Sequence, residues 1–245
     1  MKAVEREPPR ARDGPAGPAF ERASAAPIIN ECDDYAIDEA VRLKRTLSGR
    51  VRALTVGPLR ASEVLYQAVA KGCDDAVRID CDTDDPLTVA RLIAAYVREN
   101  AFDLVLTGVE SRDEMASAVA PAVAALLDRP FAMSVTAIEP AEGALVVDKE
   151  MGGGHFQRLL LRLPAVVAVQ SGICRLTYAP TAKVLQARRM PPRSIQPAAL
   201  GVDAGRTVLA SIGAPAKLRV AEMLSGRPEE VAAALLDLIE GALRG

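Results

Sequence analysis

Pro86–Gly108 reads PLTVARLIAAYVRENAFDLVLTG, and this stretch decides the fold. Asp85 stands before Pro86, an N-cap acid followed by proline at the first helical position, where its missing N–H costs nothing. Val89, Leu92, Ile93, Tyr96 and Val97 share one face, which predicts an amphipathic helix over Leu87–Glu99. Asp103–Leu106 (DLVL) then reads as a buried strand stopped by Thr107-Gly108. The same unit recurs upstream. Tyr35, Ile37, Ala40, Val41 and Leu43 form a helical face, Val51–Val56 (VRALTV) is β-rich and halts at Gly57-Pro58, and Ser62–Lys71 is a helix capped by Gly72. Ala76–Ile79 is strand-like, and a helix is predicted over 114–127. Strands and helices alternate through short connections. The expected fold class is therefore α/β, a doubly wound parallel sheet with helices on both faces, Rossmann-like and of the adenine-nucleotide-binding kind.

After Pro130 the rhythm changes. Ala132–Ile138, Ala144–Glu150 and His155–Leu163 read as strands, the last two joined through Gly152-Gly153-Gly154 as a β-hairpin insertion. Ala165–Val169 is one more buried strand, and Thr181–Arg189 a helix. A proline-rich arm then leads to an amphipathic helix over Glu229–Leu243, begun by Pro228. Three divisions follow: 1–27, an irregular N-terminal arm or a truncated first strand; 28–190, the α/β domain; and 191–245, an extended C-terminal arm with its helix.

Composition removes several function classes. Lys plus Arg number 30 and Asp plus Glu 32, a formal charge of −2 that argues against nucleic acid as partner. No apolar run has the ~20 residues that span a bilayer, and no basic-then-apolar leader opens the chain, so the expectation is a cytoplasmic protein without membrane insertion. His155 is the single histidine, and Cys32, Cys73, Cys81 and Cys174 have no metal spacing. No metal site and no catalytic residue is expected. The acids Asp80, Asp82, Asp84 and Asp85 lack the EF-hand glycine and closing glutamate, so they read as a solvated turn.

In such a sheet ligands lie beyond the carboxyl ends of the strands. Val56-Gly57-Pro58 and Thr107–Asp113 occupy those positions, either as ligand-approaching loops or as plain strand-to-helix turns. Neither a GxGxxG nor a GxxxxGK[ST] fingerprint is present.

Asn30–Lys44, NECDDYAIDEAVRLK, resembles the NP[FY]DExA[LV]EEA[LV]RLK segment of electron transfer flavoprotein β subunits. ALTVGP (53–58), AVAKGCDDAVRI (68–79), FDLVLTGVESRD (102–113), LVVDKEMGGGHFQRLLLRLPAVVAV (145–169) and KVLQARR (183–189) are similar to further family segments in the same order. The resemblance implies an electron carrier, not an enzyme. It implies a heterodimer with an α subunit that holds most of the FAD, with AMP or a second FAD on the β side. It also implies electron entry from a flavin-dependent dehydrogenase, exit to the electron transfer flavoprotein–quinone oxidoreductase of the membrane, and a C-terminal helix packed on the α subunit. Mapped by position, it implicates Asn30, Cys32, Val56, Gly57, Gly108, Glu110, Asp113, Ser117, Ala118 and Val119 in cofactor binding. Tyr178, Thr181 and Val184 fall in the segment that recognises the dehydrogenase.

The departures are specific. Cys32 stands for an aromatic, Glu110 for a glutamine, and Met115–Ala120 for a glycine-bearing phosphate nest of which only Ser117 keeps a polar side chain. Thr181 replaces an anchoring leucine. Met1–Pro8 resembles only the tail of the family's apolar first strand, so either that strand begins upstream or the sheet has one strand fewer. The competing reading, from another class, is a nucleotide-binding or protein-interaction module of the same fold without the redox role.

Overall fold

The computed structural model describes residues 1–4, 10–14, 17–21, 27–83, 85–203 and 223–244, with side chains left undescribed at 10–14 and 17–21. Two compact units divide the chain, Met1–Ser211 and Ile212–Gly245. In the first, β1 (Ala3–Val4) pairs antiparallel with β4 (Ile28–Ile29), and β2 (Arg10–Gly14) with β3 (Gly17–Glu21). Then come α1 (Glu31–Leu47), β5 (Arg52–Val56), α2 (Ser62–Lys71), β6 (Asp75–Ile79), α3 (Pro86–Glu99), β7 (Leu104–Gly108) and α4 (Val119–Leu127). A second series follows: β8 (Phe131–Ala141), β9 (Ala144–Gly152), β10 (His155–Arg162), β11 (Ala165–Val169), α5 (Thr181–Ala187) and β12 (Arg193–Ile195).

Parallel strands with helices on both faces agree with the sequence reading. β11 displays the logic. All five of its residues are buried, and they alternate between two cores. Ala165, Val167 and Val169 pack with Ala36 and Leu43 of α1, whereas Val166 packs with Ala90 of α3 and Val123 of α4. Such a strand reads as a continuous apolar run because both of its faces are dry. The ladder itself comes in two parts, β12-β6-β5 and β10-β9-β8-β11-β7.

Three boundaries differ from expectation. The helix expected from 114 starts at Val119, because Pro121 fits a first helical turn but in a helix interior would clash with the carbonyl four residues earlier. Met115 and Ser117 instead adopt left-handed backbone, with φ of 50° and 47°. The proline-rich arm contains β12, which extends β6 as an added parallel strand. β8 and β9 run longer than expected, to Ala141 and Gly152, and Gly152, Gly153 and Gly154 turn the hairpin with φ of 83°, 60° and 77°. Asp85 caps α3 as expected, accepting from Thr88 N at 2.9 Å. Of the expected arm, 204–222 lies outside the described residues, as does Asp84. In the second unit α6 (Pro228–Arg244) displays Leu235, Leu236, Leu238, Ile239 and Leu243 as exposed apolar residues. Among the described residues no helix is long and apolar enough to cross a membrane.

A buried ionic cluster ties α1 to α2. Lys71 Nζ lies 2.5 Å from Asp34 and 3.1 Å from Asp38, with its side chain 4% exposed. Asp38 also accepts from Thr177 N and Oγ1 at 2.8 and 2.6 Å, fastening the segment before α5. Burial raises the Asp34 carboxyl against the opposing pull of Lys71. Lys71→Met would leave two inward carboxylates without their cation. The expected loss is about 3–5 kcal/mol, read as a lower urea midpoint with an unchanged slope.

Candidate functional site

A cavity of about 240 Å3 opens beyond the carboxyl ends of β5 and β7. Val56, Gly57 and Pro58 form one wall, Thr107–Glu110 another, and Ser117–Ala120 a third. The close approach of these loops is built in. A Cβ on Gly108 would lie 2.6 Å from Cys32 Cβ and 2.7 Å from Asp33 N, and one on Gly57 2.9 Å from Ala61 Cβ. Glycine is required at both positions for space, since neither has positive φ.

Of the residues implicated by sequence, Val56, Gly57, Gly108, Glu110, Asp113, Ser117, Ala118 and Val119 line this cavity. Asn30 and Cys32 do not. Asn30 is 1% exposed, and its side chain is occupied by protein: Nδ2 donates to Glu110 O at 2.7 Å and to Asp33 Oδ2 at 3.2 Å, and Oδ1 accepts from Arg112 N at 3.1 Å. It latches the loop after β7. Cys32 packs behind Gly108, with Val109, Ala120 and Ala168. Glu110, Tyr178 and Thr181 are exposed and Val184 is half-buried. The α5 helix is held to α2 by Arg188–Glu63 at 2.6 Å.

Two residues that the sequence reading left out organise the site. Asp33 is buried; its Oδ1 accepts from Gly108 N at 2.8 Å and its Oδ2 from Lys2 N at 2.9 Å. By position alone Asp33 reads as an acid complementing a helix dipole, and only the tertiary contact with Gly108 reveals its role. Lys2 Nζ reaches Asp113 at 2.9 Å, Glu114 at 3.0 Å and Ser111 Oγ at 3.3 Å.

The electrostatics favour acid. Asp33, Asp82, Glu110, Asp113 and Glu114 line the cavity against Lys2 and Arg60, and Lys2 already bridges two of those acids. At α4 the first-turn N–H groups have no intrahelical partner, but Pro121 offers none, which leaves Val119 and Ala120 as the donors of that turn. Burial pulls Asp113 upward, yet hydrogen bonds from Ser111 and Lys2, the Lys2 charge and the Glu114 N–H hold it below the ordinary carboxylate range. Its stabilising contribution is thus present at neutral pH and is lost as pH falls through that lowered value. Thiolate chemistry is disfavoured. Burial pushes Cys32 and Cys81 up, Cys174 to about 11 and Cys73 to about 12. His155 is exposed in the distant hairpin turn, and among the described residues no cluster of three or more His, Cys, Asp or Glu is placed to hold a metal.

Gly108→Ala would force backbone, not flexible side chain, to yield. A loss of about 1–3 kcal/mol is expected, read from chemical denaturation, with Gly49→Ala, where a Cβ meets nothing within 4 Å, as the comparison.

The family profile of the electron transfer flavoprotein domain matches residues 19–200. The chain is 31% identical over 220 residues to the electron transfer flavoprotein subunit beta of Bacillus subtilis, covering 86% of this chain and 85% of that one. It is 30% identical over 224 residues to the subunit beta of Methylophilus methylotrophus, with the same coverage. With the Homo sapiens subunit beta the identity is 30% over 181 residues, 71% of each chain. The matched span contains the Asn30–Asp33 latch, both glycine turns and the loop they hold, and on that footing the chain belongs to the electron transfer flavoprotein family as a member of its β-subunit branch.

Proposed function

We propose that this chain is the β subunit of a heterodimeric electron transfer flavoprotein, working in the cytoplasm. Its complex accepts electrons from a flavin-dependent dehydrogenase and delivers them towards a membrane quinone reductase. The observation that carries this reading is the family match across residues 19–200, which includes the three loops that wall the cavity beyond β5 and β7. FAD, mostly held by the α subunit, supplies the redox chemistry when bound. The chain's own part is to shape and dry one side of that site, with the loop 107–113 held by Asn30 and Asp33. Asp113, Glu110 and the Ser117–Val119 turn would face the adenylate side. The α5 segment with Tyr178, Thr181 and Val184 would meet the dehydrogenase, and α6, with its exposed leucines, the α subunit.

Co-expression with the α subunit of the same operon is expected to yield a yellow heterodimer carrying one FAD per pair. A stable, colourless monomer in its presence would overturn the reading.

The residues present fit an adenosine better than its phosphate. Glycine turns give close backbone approach, but the polar lining is mostly carboxylate. AMP on the β side should therefore bind weakly, and Glu110→Gln should tighten it. Removing one charge ~4 Å from a phosphate is worth about 1 kcal/mol in a water-like medium, roughly fivefold in affinity. Titration of the heterodimer with AMP measures this; unchanged affinity would place the phosphate away from Glu110.

A further inference from the structure

From residue 151 to 202 the chain carries neither aspartate nor glutamate, although acids outnumber bases in the whole sequence by 32 to 30. Positive charge is thus segregated, not balanced locally. It concentrates around α5, where Arg175, Lys183, Arg188, Arg189 and Arg193 follow one another without an acid between them, all exposed. Acids on neighbouring elements are engaged elsewhere or with a single one of these bases. Glu63 of α2 holds Arg188 at 2.6 Å, while Asp38 and Glu39 of α1 are bonded to Lys71 and Arg42. Among the described residues no acid pairs with Arg175, Lys183, Arg189 or Arg193.

Tyr178, Leu185 and Met190 alternate with these charges along the chain, and their side chains stand in solvent, Tyr178 at 82% exposure. At ~1.5 Å per residue the seven residues of α5 span about 10 Å, which keeps the group within reach of one partner face.

The backbone that carries Tyr178 is pinned on both sides. Before it, Ile173 packs against the core of α1, β8 and β11, and Thr177 is bound twice to Asp38, through N at 2.8 Å and Oγ1 at 2.6 Å. After it, Ala187 is buried and Arg188 is tied to α2. An exposed aromatic on fixed backbone loses little freedom on entering a pocket. Tyrosine and arginine are also the residue types in which interfaces concentrate their binding energy. Nucleic acid suits the surface less well, because the rest of the chain is acidic and the apolar side chains call for a pocket, not a phosphate backbone.

We infer that residues 175–193 form a docking surface for an acidic protein face, in which an apolar pocket takes Tyr178 and carboxylates around it meet Arg175, Lys183, Arg189 and Arg193. The inference rests on the electron-carrier reading only in naming that partner the flavin-dependent dehydrogenase.

The test takes the heterodimer with its FAD and, as donor, the dehydrogenase fractionated from the source organism by its reduction of that FAD. The KM for the heterodimer should rise about tenfold or more between roughly 20 and 200 mM salt. Tyr178→Ala should raise KM by about tenfold or more, with kcat little changed. Lys183→Glu combined with Arg189→Glu should raise KM at low salt and flatten its salt dependence. Arg45→Glu with Arg50→Glu, the same charge change outside the segment, should leave KM unmoved. A KM indifferent to salt, unmoved by Tyr178→Ala, or raised equally by both pairs of reversals overturns the inference. A second measurement needs no electron transfer. Poly-L-glutamate mixed with the full chain at low salt and activated by a carbodiimide should be joined to Lys183 ahead of the other lysines. If no dehydrogenase reduces the FAD while poly-L-glutamate still selects Lys183, the carrier reading falls and the docking surface stands. Attachment spread evenly over the lysines, or tighter binding of single-stranded DNA at the same segment, overturns the surface.

Discussion

Much of the molecule hangs on the Asp33 carboxylate, buried near the start of α1 and shared between two backbone N–H groups from opposite sides of a gap. One oxygen holds Gly108, the last residue of β7; the other holds Lys2, where the N-terminal segment leaves the sheet. A carboxylate accepting backbone N–H bonds does the work of a rung in a ladder, in charge-assisted form. It fixes the loop that follows β7 at the distance α1 dictates. Gly108 then has no room for a side chain, because the helix backbone that carries Asp33 is pressed against it. Asn30, three residues before Asp33, extends the same clamp to Glu110 and Arg112. Cavity shape, glycine requirement and loop conformation are thus consequences of where α1 begins.

Much of this fold was legible in sequence because each element carries a local signal. Asp85-Pro86 announces α3, Gly72 ends α2, and the uniform apolar run of β11 reports burial on both faces. The failures share a cause as well. Three of the features that escaped are matters of tertiary contact: β12 is short and exists as a strand only by pairing with β6; Asp33 looks like any first-turn acid; and the hold of Asn30 on the loop after β7 is seen only in the folded chain. The late start of α4 was readable, since Pro121 forbids a helix from residue 114, but apolar periodicity outweighed it. At the site, the loops expected from sequence line the cavity beyond β5 and β7, whereas Asn30 and Cys32 lie outside its lining.

The N-terminal residues connect β5 to the functional cavity. Met1, Asp33 and Leu54 line the cavity, and Lys2 carries its ammonium to Asp113 and Glu114 at its rim. Met1 is pinned to β5 by its bonds with Leu54 O and Thr55 Oγ1, and that anchorage sets the reach of Lys2, hence how much of the acidic rim is neutralised. Lys2 neutralises Asp113 and Glu114 at that rim, while Glu110 stands exposed and accepts from Ser117 Oγ at 3.4 Å. The anchorage of Met1 on β5 and the charge balance of the cavity rim are therefore coupled through two residues of backbone.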